Sequence, residues 1–431
     1  MVKKEKKNKE EKADKKTKEK ALVKSDSKKP TRAEKVKQAL KVRFALEQEP
    51  KFDMYYYRIY RKLRLVRYVC VLIAALFVMS VPMVYSDQIT SENFKYLIKY
   101  IDLQLSQDSE VYSAFQYESS EHMQFAVYAD DIVICTDTAL VYYDKLGNEI
   151  MRASFGPYEN PQLLVSAKYV MVYDRGGTEY AIYNNFKMLH HATTEYPISI
   201  CALGDGGEYA VVTSNQNYVS EVQVYNHNFK QTNRVQRDLY ISDLFMLGNG
   251  EFGYAGFTTD EKGGQVGEVC IYTAQSKKIV EIIENKLPLS VSISGDVLRV
   301  IYPDSVVWYS DGKKESHTYT FSDMPGSFCY SPGNLALYFS EQGNNKIGYV
   351  QILGLNSDSV TTAMCRDPVS RIQWHDGYFY LLGDNYISKI NHTEDSKTVT
   401  VSEGLIQLLF MPNGQVMGCY TDHTEILNIE F

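Results

Sequence analysis

The stretch that decides the fold is Ile198-Ser-Ile-Cys-Ala-Leu-Gly-Asp-Gly-Gly-Glu-Tyr-Ala-Val-Val-Thr213. It contains an apolar strand, a glycine-rich turn and a second strand, and a third strand follows that ends in Gln223-Val-Tyr-Asn226. Asp-Gly and Gly-Gly steps favour tight turns, and runs of β-branched and aromatic residues favour strands. The segment therefore predicts an antiparallel meander.

This unit recurs at a spacing of about 40 residues, which is typical of a β-propeller blade of four strands. Unit starts fall near Phe125, Leu163, Ile198, Ile241, Leu289, Phe328, Ile372 and Leu405. The clearest third strands are Val141–Asp144, Ala181–Asn184, Gln223–Asn226, Cys270–Thr273 and Val307–Ser310, with weaker copies at Val350–Leu353, Ser388–Asn391 and Leu427–Glu430. We predict a mainly all-β chain with a seven- or eight-bladed β-propeller.

The last unit has room for only three strands. The segment Val111–Tyr117 is predicted to supply the fourth and so join the two ends of the propeller. Closure of this kind removes exposed sheet edges. The alternative, a pair of β-sandwiches, would show two similar halves rather than eight similar units.

Charge is unevenly distributed over the 431 residues, whose net charge is −7. Up to Arg67 there are 24 Lys and Arg against 10 Asp and Glu, whereas the remainder holds 22 against 43. An acidic body excludes a strongly basic nucleic-acid-binding domain, so no nucleic-acid partner is expected. With 44% hydrophobic and 13% aromatic residues, uniform disorder is excluded as well.

One apolar run, residues 68–86, is 19 residues long without a charge, close to the ~20 residues that cross a bilayer as a helix. Basic residues precede it and acidic residues follow, which predicts a cytoplasmic N-terminus, an extracellular body and a cell-membrane location. A cleaved signal peptide fits poorly after 67 residues, and a buried helix is the other alternative. Predicted anchor residues are Tyr68, Leu72, Leu76, Val81 and Tyr85, and predicted topology-setting residues are Arg58, Arg61, Lys62, Arg64 and Arg67.

The predicted organisation has five parts. A disordered Lys/Glu-rich cytoplasmic tail (1–50) and a basic aromatic juxtamembrane segment (51–67) precede the transmembrane helix (68–86). An extracellular part (87–110) carries a short amphipathic helix at about 91–106, with Phe94, Leu97 and Ile101 on its apolar face, and ends in a linker. The propeller is predicted to occupy 111–431.

Two segments resemble repeats of the quinoprotein, or PQQ-like, propellers. They are Tyr142-Tyr-Asp-Lys-Leu-Gly-Asn-Glu-Ile150 and Trp308-Tyr-Ser-Asp-Gly-Lys-Lys-Glu315, similar to that family's Asp-x-x-x-Gly-Lys-x-x-Trp connection. As a whole, the chain resembles an uncharacterised family of Gram-positive bacterial, membrane-anchored, Tyr-rich propellers, on its architecture and on residues 58–87. This resemblance implies a fold and a location, and no activity.

No residue set forms a recognisable catalytic, cofactor or metal site, and we predict none of them. A quinone-dependent enzyme, which the PQQ-like resemblance raises, lacks the adjacent cysteine pair usual in that family. The only adjacent histidines, His190 and His191, would point to opposite faces of a strand. The cysteines at 135, 201, 270, 329, 365 and 419 lie singly, mostly within apolar strand patterns, and are predicted to be small core residues.

The function predicted from these observations is a non-catalytic binding or scaffolding module at the cell envelope. Its partners would be the lipid bilayer and an extracellular protein or envelope polymer, because a rigid propeller offers a large loop-built surface. An acidic body favours basic or neutral partners. The first alternative is an extracellular small-ligand sensor that uses the propeller channel, and the second is the quinone-dependent enzyme.

Overall fold

The computed structural model describes residues 35–37, 53–84 and 111–429, except 186, 311–313, 341–346, 355–358, 367 and 392–395. The chain divides into two compact units, residues 1–90 and 91–431. The predicted tail falls mostly outside the described residues, and the predicted helix at about 91–106 lies wholly outside them.

One helix, α1 (Asp53–Val84), runs through both the predicted juxtamembrane segment and most of the predicted membrane span. Val, Tyr, Arg and Leu are its commonest residues, and of these Arg and Leu favour helix. The last side chain described in α1 is that of Leu76. Within the described part of the chain, no helix is both long and apolar enough to cross a membrane.

Thirty-one strands follow in eight antiparallel sheets. The first four sheets are β1–β4 (Gln124–Tyr128, Asp131–Cys135, Ala139–Tyr143, Glu149–Ser154), β5–β8 (Pro161–Val165, Val170–Asp174, Glu179–Tyr183, Met188–Thr193), β9–β12 (Ile198–Leu203, Tyr209–Thr213, Ser220–Tyr225, Gln231–Arg237) and β13–β16 (Tyr240–Gly248, Glu251–Thr259, Gln265–Tyr272, Lys278–Glu284). The others are β17–β20 (Ser290–Ser294, Val297–Ile301, Ser305–Ser310, Lys314–Thr320), β21–β24 (Ser327–Tyr330, Asn334–Phe339, Ile347–Gly354, Val360–Arg366), β25–β28 (Arg371–His375, Tyr378–Leu382, Tyr386–Ile390, Lys397–Thr400) and β29–β31 (Gln407–Phe410, Val416–Cys419, Thr424–Leu427).

The first strands of the sheets are neighbours in a closed ring, in which β1 contacts both β5 and β29. The last sheet has three strands, and the segment before β1 extends it. Gln116 forms an antiparallel bridge with His423, where the Tyr117 N–H donates to Asp422 O (2.9 Å) and the Thr424 N–H donates to Phe115 O (2.8 Å). The unit is an eight-bladed β-propeller, and the predicted closure by residues 111–117 is confirmed. We number its blades 1–8 in chain order.

The repeat boundaries predicted from the sequence are also confirmed. Each predicted unit start lies within two residues of the first strand of a blade, from Phe125 beside Gln124 to Leu405 beside Gln407. The recurring tyrosine of the third strand is Tyr143, Tyr183 or Tyr225 in blades 1 to 3, at the end of the strand. Local turn and strand preferences thus place all eight repeats.

Neighbouring blades pack through apolar side chains and tyrosines. Tyr142 and Val133 of blade 1, for example, pack with Val172 and Tyr183 of blade 2. Tyr128 also places its hydroxyl on a backbone carbonyl of the next blade, Lys168 O (2.5 Å). A hydroxyl bond of this kind lets a tyrosine ring be buried between blades while its polar group is satisfied.

Side-chain amides on the first strands join successive blades at the inner ring. Gln124 donates to Pro161 O (3.1 Å) and accepts from the Leu163 N–H (2.8 Å), which links blade 1 to blade 2. Gln373 makes the same pair of bonds to Leu408 O and N (both 2.9 Å), which links blade 7 to blade 8. Gln407 donates to Phe125 O (2.9 Å), across the closure of the ring.

The propeller cysteines are free, and five of the six are buried, as predicted. Burial raises the pKa of the Cys135 thiol to about 12, and a further contribution comes from the charge of Asp137. Such thiols behave as small apolar residues rather than as nucleophiles.

Candidate binding face

The connections of the propeller fall into two sets. Because consecutive strands of a blade are antiparallel, loops from the second to the third strand open on the same face as loops from the fourth strand to the next blade. We call this face the BC/DA face, and we include in it residues 118–123, which lead into β1. The opposite AB/CD face carries the remaining hairpin loops.

The BC/DA face is strongly acidic. Its described loops contain three Lys or Arg residues, Arg175, Lys262 and Lys286. Its thirteen Asp and Glu residues are Glu118, Glu121, Asp137, Glu159, Glu195, Asp238, Asp260, Glu261, Asp304, Asp323, Asp384, Glu403 and Asp422.

The AB/CD face is nearly neutral by the same count over its described loops. Its acidic residues are Asp130, Asp144, Asp205, Glu208, Asp296 and Asp376, and its basic residues are Lys145, Lys168, Lys187, Lys230 and Lys277. The loop charge of the propeller is therefore concentrated on one side, where it generates a negative potential that extends about one Debye length, ~8 Å at physiological salt.

Few of these carboxylates are neutralised by a neighbouring cation. Among the described residues, Asp304 accepts from Lys286 Nζ (3.2 Å) and Glu118 lies 3.6 Å from Arg152 Nη1, while Asp137 and Asp422 contact the imidazoles of His122 (3.1 Å) and His423 (2.7 Å). The pKa of the Asp304 carboxyl is lowered, first by its hydrogen bond from Ser305 and also by Lys286.

Exposed apolar side chains lie at both ends of the strands. Leu146, Met188, Leu247, Ile279, Val360 and Trp374 lie at the AB/CD end, and six others lie at the BC/DA end. Tyr240, the first residue of β13, is 62% exposed, and Met324, in the loop between blades 5 and 6, is 61% exposed. The others are Tyr218, Ile283, Ile347 and Met364, in blades 3, 4 and 6. Aromatic and methionine side chains that project from a charged rim are typical of protein-binding surfaces.

A cavity of about 470 Å³ opens on the BC/DA face between blades 2, 3 and 4. Two backbone hydrogen bonds tie blade 2 to blade 3 at its base: the Gly176 N–H donates to Ile198 O (2.8 Å), and the Ile198 N–H donates to Gly177 O (2.7 Å). Its lining includes Asn160, Arg175, Ser199, Ser214 and Tyr240. One cation and several hydroxyl or amide groups therefore face this space.

A buried carboxylate supports the blade 3 side of the cavity. Glu221 is only 2% exposed, yet it accepts hydrogen bonds from Arg234 Nη2 (2.6 Å), Gln236 Nε2 (2.8 Å) and Asn215 Nδ2 (2.7 Å). Burial raises the pKa of Glu221, but the hydrogen bonds from Arg234, Gln236 and Gln223 outweigh burial and lower the pKa to about 2. Since Asn215 belongs to the loop that lines the cavity, Glu221 fixes that loop.

One group of residues in the described part of the chain has the spacing of a metal site, Glu268, Cys270 and Glu281 in blade 4. Two of the three are already bound by cations. Glu268 Oε1 accepts from Arg237 Nη2 (2.7 Å), and Glu281 Oε1 accepts from Lys278 Nζ (2.5 Å). Positive charge at both carboxylates opposes a metal ion, so this group is a structural ion-pair network. The sequence did not indicate it, because Glu268 and Cys270 lie on β15 and Glu281 lies on β16, and only the pairing of these strands brings them together.

The predicted anchor and topology residues lie on or next to α1. Tyr68, Leu72 and Leu76 are exposed, as are Arg61, Lys62, Arg64 and Arg67. The side chains of Arg58 and Val81 fall outside the described residues, as does Tyr85 altogether. Arg64 Cζ lies 5.8 Å from the ring centroid of Tyr68, so this contact brings an anchor residue and a topology residue together.

The predicted divergence of the two adjacent histidines is seen in β8. His190 is half-buried and stacks on Phe229, with ring centroids 4.8 Å apart. His191 is exposed and lies 3.8 Å from Glu179. The two imidazoles therefore have different neighbours.

Comparison with known proteins defines the class to which this propeller belongs. Residues 103–429 match a family of unknown function, DUF5711. The chain belongs to that family, which confirms the predicted membership in an uncharacterised propeller family. No curated protein matches it in sequence.

Solved structures resemble the fold. BamB from Moraxella catarrhalis is 10% identical with a TM-score of 0.49, and the match covers 72% of this chain and 97% of BamB. A eukaryotic initiation factor is 15% identical with a TM-score of 0.47, over 72% of this chain and 90% of that one. Hsv2 from Kluyveromyces marxianus is 11% identical with a TM-score of 0.45, over 66% and 98% of the two chains.

Proposed function

We propose that this protein is a non-catalytic binding or scaffolding module whose BC/DA face docks a basic segment of a partner protein. The observation that carries the proposal is the charge difference between the two faces, with thirteen carboxylates against three cations on one and near balance on the other. A surface potential of one sign accelerates the encounter with partners of the opposite sign and repels those of the same sign.

The rest of the face supports a docking role. Tyr218, Tyr240 and Met324 supply apolar contact area within the acidic rim. Such anchors carry most of the binding energy in protein interfaces, while exposed charges mainly set specificity and association rate. The glutamine links between first strands hold the blades in register, so that loops far apart in sequence form one rigid surface.

The proposal includes a location at the cell envelope. Its support is the sequence: an uncharged run at 68–86 is preceded by Arg61, Lys62, Arg64 and Arg67 and followed by acidic residues. The propeller then lies outside, with its acidic face available to envelope proteins. Fractionation of intact cells, with protease added from outside, tests this point. The full propeller should be degraded from outside while the N-terminal tail is protected.

Two variants of the full chain with equal net charge test the docking face. The first carries Glu159→Gln, Glu195→Gln, Asp238→Asn and Glu261→Gln on the BC/DA face. The matched control carries Asp130→Asn, Asp205→Asn, Asp296→Asn and Asp376→Asn on the AB/CD face. Both lose four exposed or half-exposed negative charges from loops, so that only the position of the charges differs.

The assay is binding of a fluorescent Lys/Arg-rich peptide at physiological salt, followed by crosslinking in cells and identification of captured proteins. Four rim charges at about 0.5 kcal/mol each give an expected weakening of about 30-fold for the first variant. The control should stay within about twofold of the natural protein. Equal loss in both variants would show that net charge alone attracts the peptide and would refute a docking face.

A second candidate function, sensing of a small ligand, is favoured by the cavity between blades 2 and 4. Its Arg175 guanidinium and its Ser199 and Ser214 hydroxyls would suit a polar ligand with an anionic group. A panel of small carboxylates should then raise the thermal midpoint of the natural protein but not of an Arg175→Gln variant. If no compound has this effect, the cavity is part of the docking face only.

A further inference from the structure

A buried arginine lies between blades 5 and 6. Arg299, on β18, is only 1% exposed. Its Nε donates to Ser292 Oγ (3.0 Å) and its Nη2 to Ser331 O (3.4 Å), while its Cζ lies 5.5 Å from the ring centroid of Tyr330. The guanidinium thus extends from blade 5 to blade 6 at the inner part of the interface.

Arg299 forms no ion pair with any carboxylate that the structure describes. A guanidinium stays protonated in proteins, so burial leaves a full positive charge without a counter-ion. Its contacts are a hydroxyl, a carbonyl and an aromatic ring, which are dipoles only. A buried charge without an opposite charge is strongly unfavourable, which makes this position unusual in a well-packed core.

Unsatisfied polar atoms concentrate in the same interface. Eight buried side-chain polar atoms in the described residues have no hydrogen-bond partner, and four of them lie between blades 5 and 6. These four are Arg299 Nη1, Trp308 Nε1, Tyr330 Oη and Gln351 Oε1. Trp308 is directly opposite Arg299 in the register of β18 and β19, and Tyr330 and Gln351 are on the blade 6 strands β21 and β23.

Other blades fill this position with apolar side chains. The second strands of blades 1, 2 and 3 present Val133, Met171 and Ala210 to the next blade, within clusters of buried apolar residues. Arg299 therefore replaces an apolar core residue, and its neighbours offer donors rather than an opposite charge. A fold that keeps a buried charge generally has something that neutralises it.

Among the described residues, one carboxylate is associated with this cluster, that of Asp243, and it is already bound. Asp243 of blade 4 accepts from Ser290 Oγ (2.7 Å) and from the Val291 N–H (2.8 Å), which joins blade 4 to blade 5. Burial raises the pKa of Asp243, although these hydrogen bonds oppose that shift, so its negative charge is less available than that of an ordinary carboxylate. It forms no ion pair with Arg299.

We propose that the interface between blades 5 and 6 binds a small monovalent anion of the halide class against Arg299 Nη1. The guanidinium and the indole N–H are donors only, so the missing partner is an acceptor. The oxygen and nitrogen of the Gln351 amide can be exchanged without a change in shape. The unpaired atom is then the amide nitrogen, which is a further hydrogen-bond donor. A single buried positive charge matches a single negative charge.

The full-length protein with Trp374→Phe provides a direct test, because Trp308 is then its only tryptophan. The protein is kept in gluconate and titrated with iodide or bromide at constant ionic strength. Because Trp308 is 1% exposed, collisional quenching should be negligible, and a bound heavy halide should quench its emission along a saturating curve. In parallel, chloride at about a hundred times its dissociation constant should raise the thermal midpoint by about 4 °C.

Arg299→Met should remove both responses while it retains most of the side-chain volume. Arg366→Met is the matched control, since Arg366 also lies over a tyrosine ring, that of Tyr386 at 5.9 Å, but is exposed. It should leave both responses unchanged. Linear or absent quenching in the Trp374→Phe protein would overturn the proposal, as would an unchanged halide response in Arg299→Met. If Arg299→Met does not fold, the quenching curve decides alone.

This test is separate from that of the docking face. The halide response is read from Trp308 and from thermal stability, and neither depends on a basic partner. Loss of peptide binding in the BC/DA variant would leave the halide response unchanged. A positive result would identify an internal ion that stabilises the propeller.

Discussion

Tyr112 is the residue on which closure of the ring depends most directly. It is 1% exposed and packs in one cluster with Ile132 and Ile134 of blade 1 and Leu409 and Met417 of blade 8. Its hydroxyl donates to Asp130 O (3.0 Å), and its backbone N–H donates to the side chain of Gln415 (2.7 Å). It therefore holds the segment before β1 to both the first and the last blade.

Tyr112→Ala should lower the free energy of unfolding by about 3–5 kcal/mol, the usual loss when a buried aromatic residue is truncated. Tyr112→Phe removes only the hydroxyl hydrogen bond, and it should lower the same quantity by about 1 kcal/mol. Val111→Ala is the control, because Val111 is 59% exposed and its truncation should change stability by less than about 0.5 kcal/mol.

The assay is urea unfolding of the full chain, followed by tryptophan fluorescence. Both tryptophans, Trp308 in blade 5 and Trp374 in blade 7, lie in other blades than the closure. If the ring unfolds as one unit, their transition should move to lower urea in Tyr112→Ala. A transition at the same urea concentration as in the natural protein would refute the view that closure stabilises the whole ring.

Three further outcomes are expected. The pKa of Glu221 is about 2, against an ordinary 4.5. Its ionised form therefore stabilises the fold fully above pH 4.5, by up to about 3 kcal/mol, and this stabilisation is lost as the pH falls toward 2. In Glu221→Gln, stability measured by urea unfolding from pH 7 to pH 3 should show a shallower acid-side decrease, and an equally steep one would contradict this account. Gly147→Ala should lower the thermal midpoint more than Gly176→Ala. Both glycines have positive φ, so the backbone strain is similar, but only at position 147 would the new methyl group overlap another side chain, that of Phe115. Equal shifts would argue against the closeness of the Phe115 segment to this turn. In a Cys70→Ser protein, which lacks the exposed thiol of α1, the Cys135 and Cys419 thiols should react with an aromatic disulfide reagent only on unfolding. Labelling of these two thiols in the native state at the rate of free cysteine would contradict their burial.

The acidic face illustrates what can and cannot be taken from a linear sequence. An overall excess of Asp and Glu after Arg67 is evident from composition, and it predicts basic or neutral partners. Composition does not show that Glu159 and Asp238 lie on one face while Lys145 and Lys230 lie on the other, because the face depends on which end of each strand a loop joins. Successive loops alternate between the two faces of the propeller, so the order of the strands shows which charged loop residues lie on each face.

The sequence by itself determined the repeating unit, the boundaries of the units and the segment that closes the ring, whereas the choice between seven and eight blades came from the structure. These features follow from interactions over a few residues, such as the turn at Gly204–Gly207 and the strand at Tyr209–Thr213, and local preferences repeat wherever the sequence does. Only the tertiary structure decided which residues meet across blades. Gln124 beside Leu163, Glu268 beside Arg237, and Arg299 against Tyr330 without a counter-ion are contacts between different blades. Their partners are set by the packing angle of one sheet on the next, a property that no local pattern encodes.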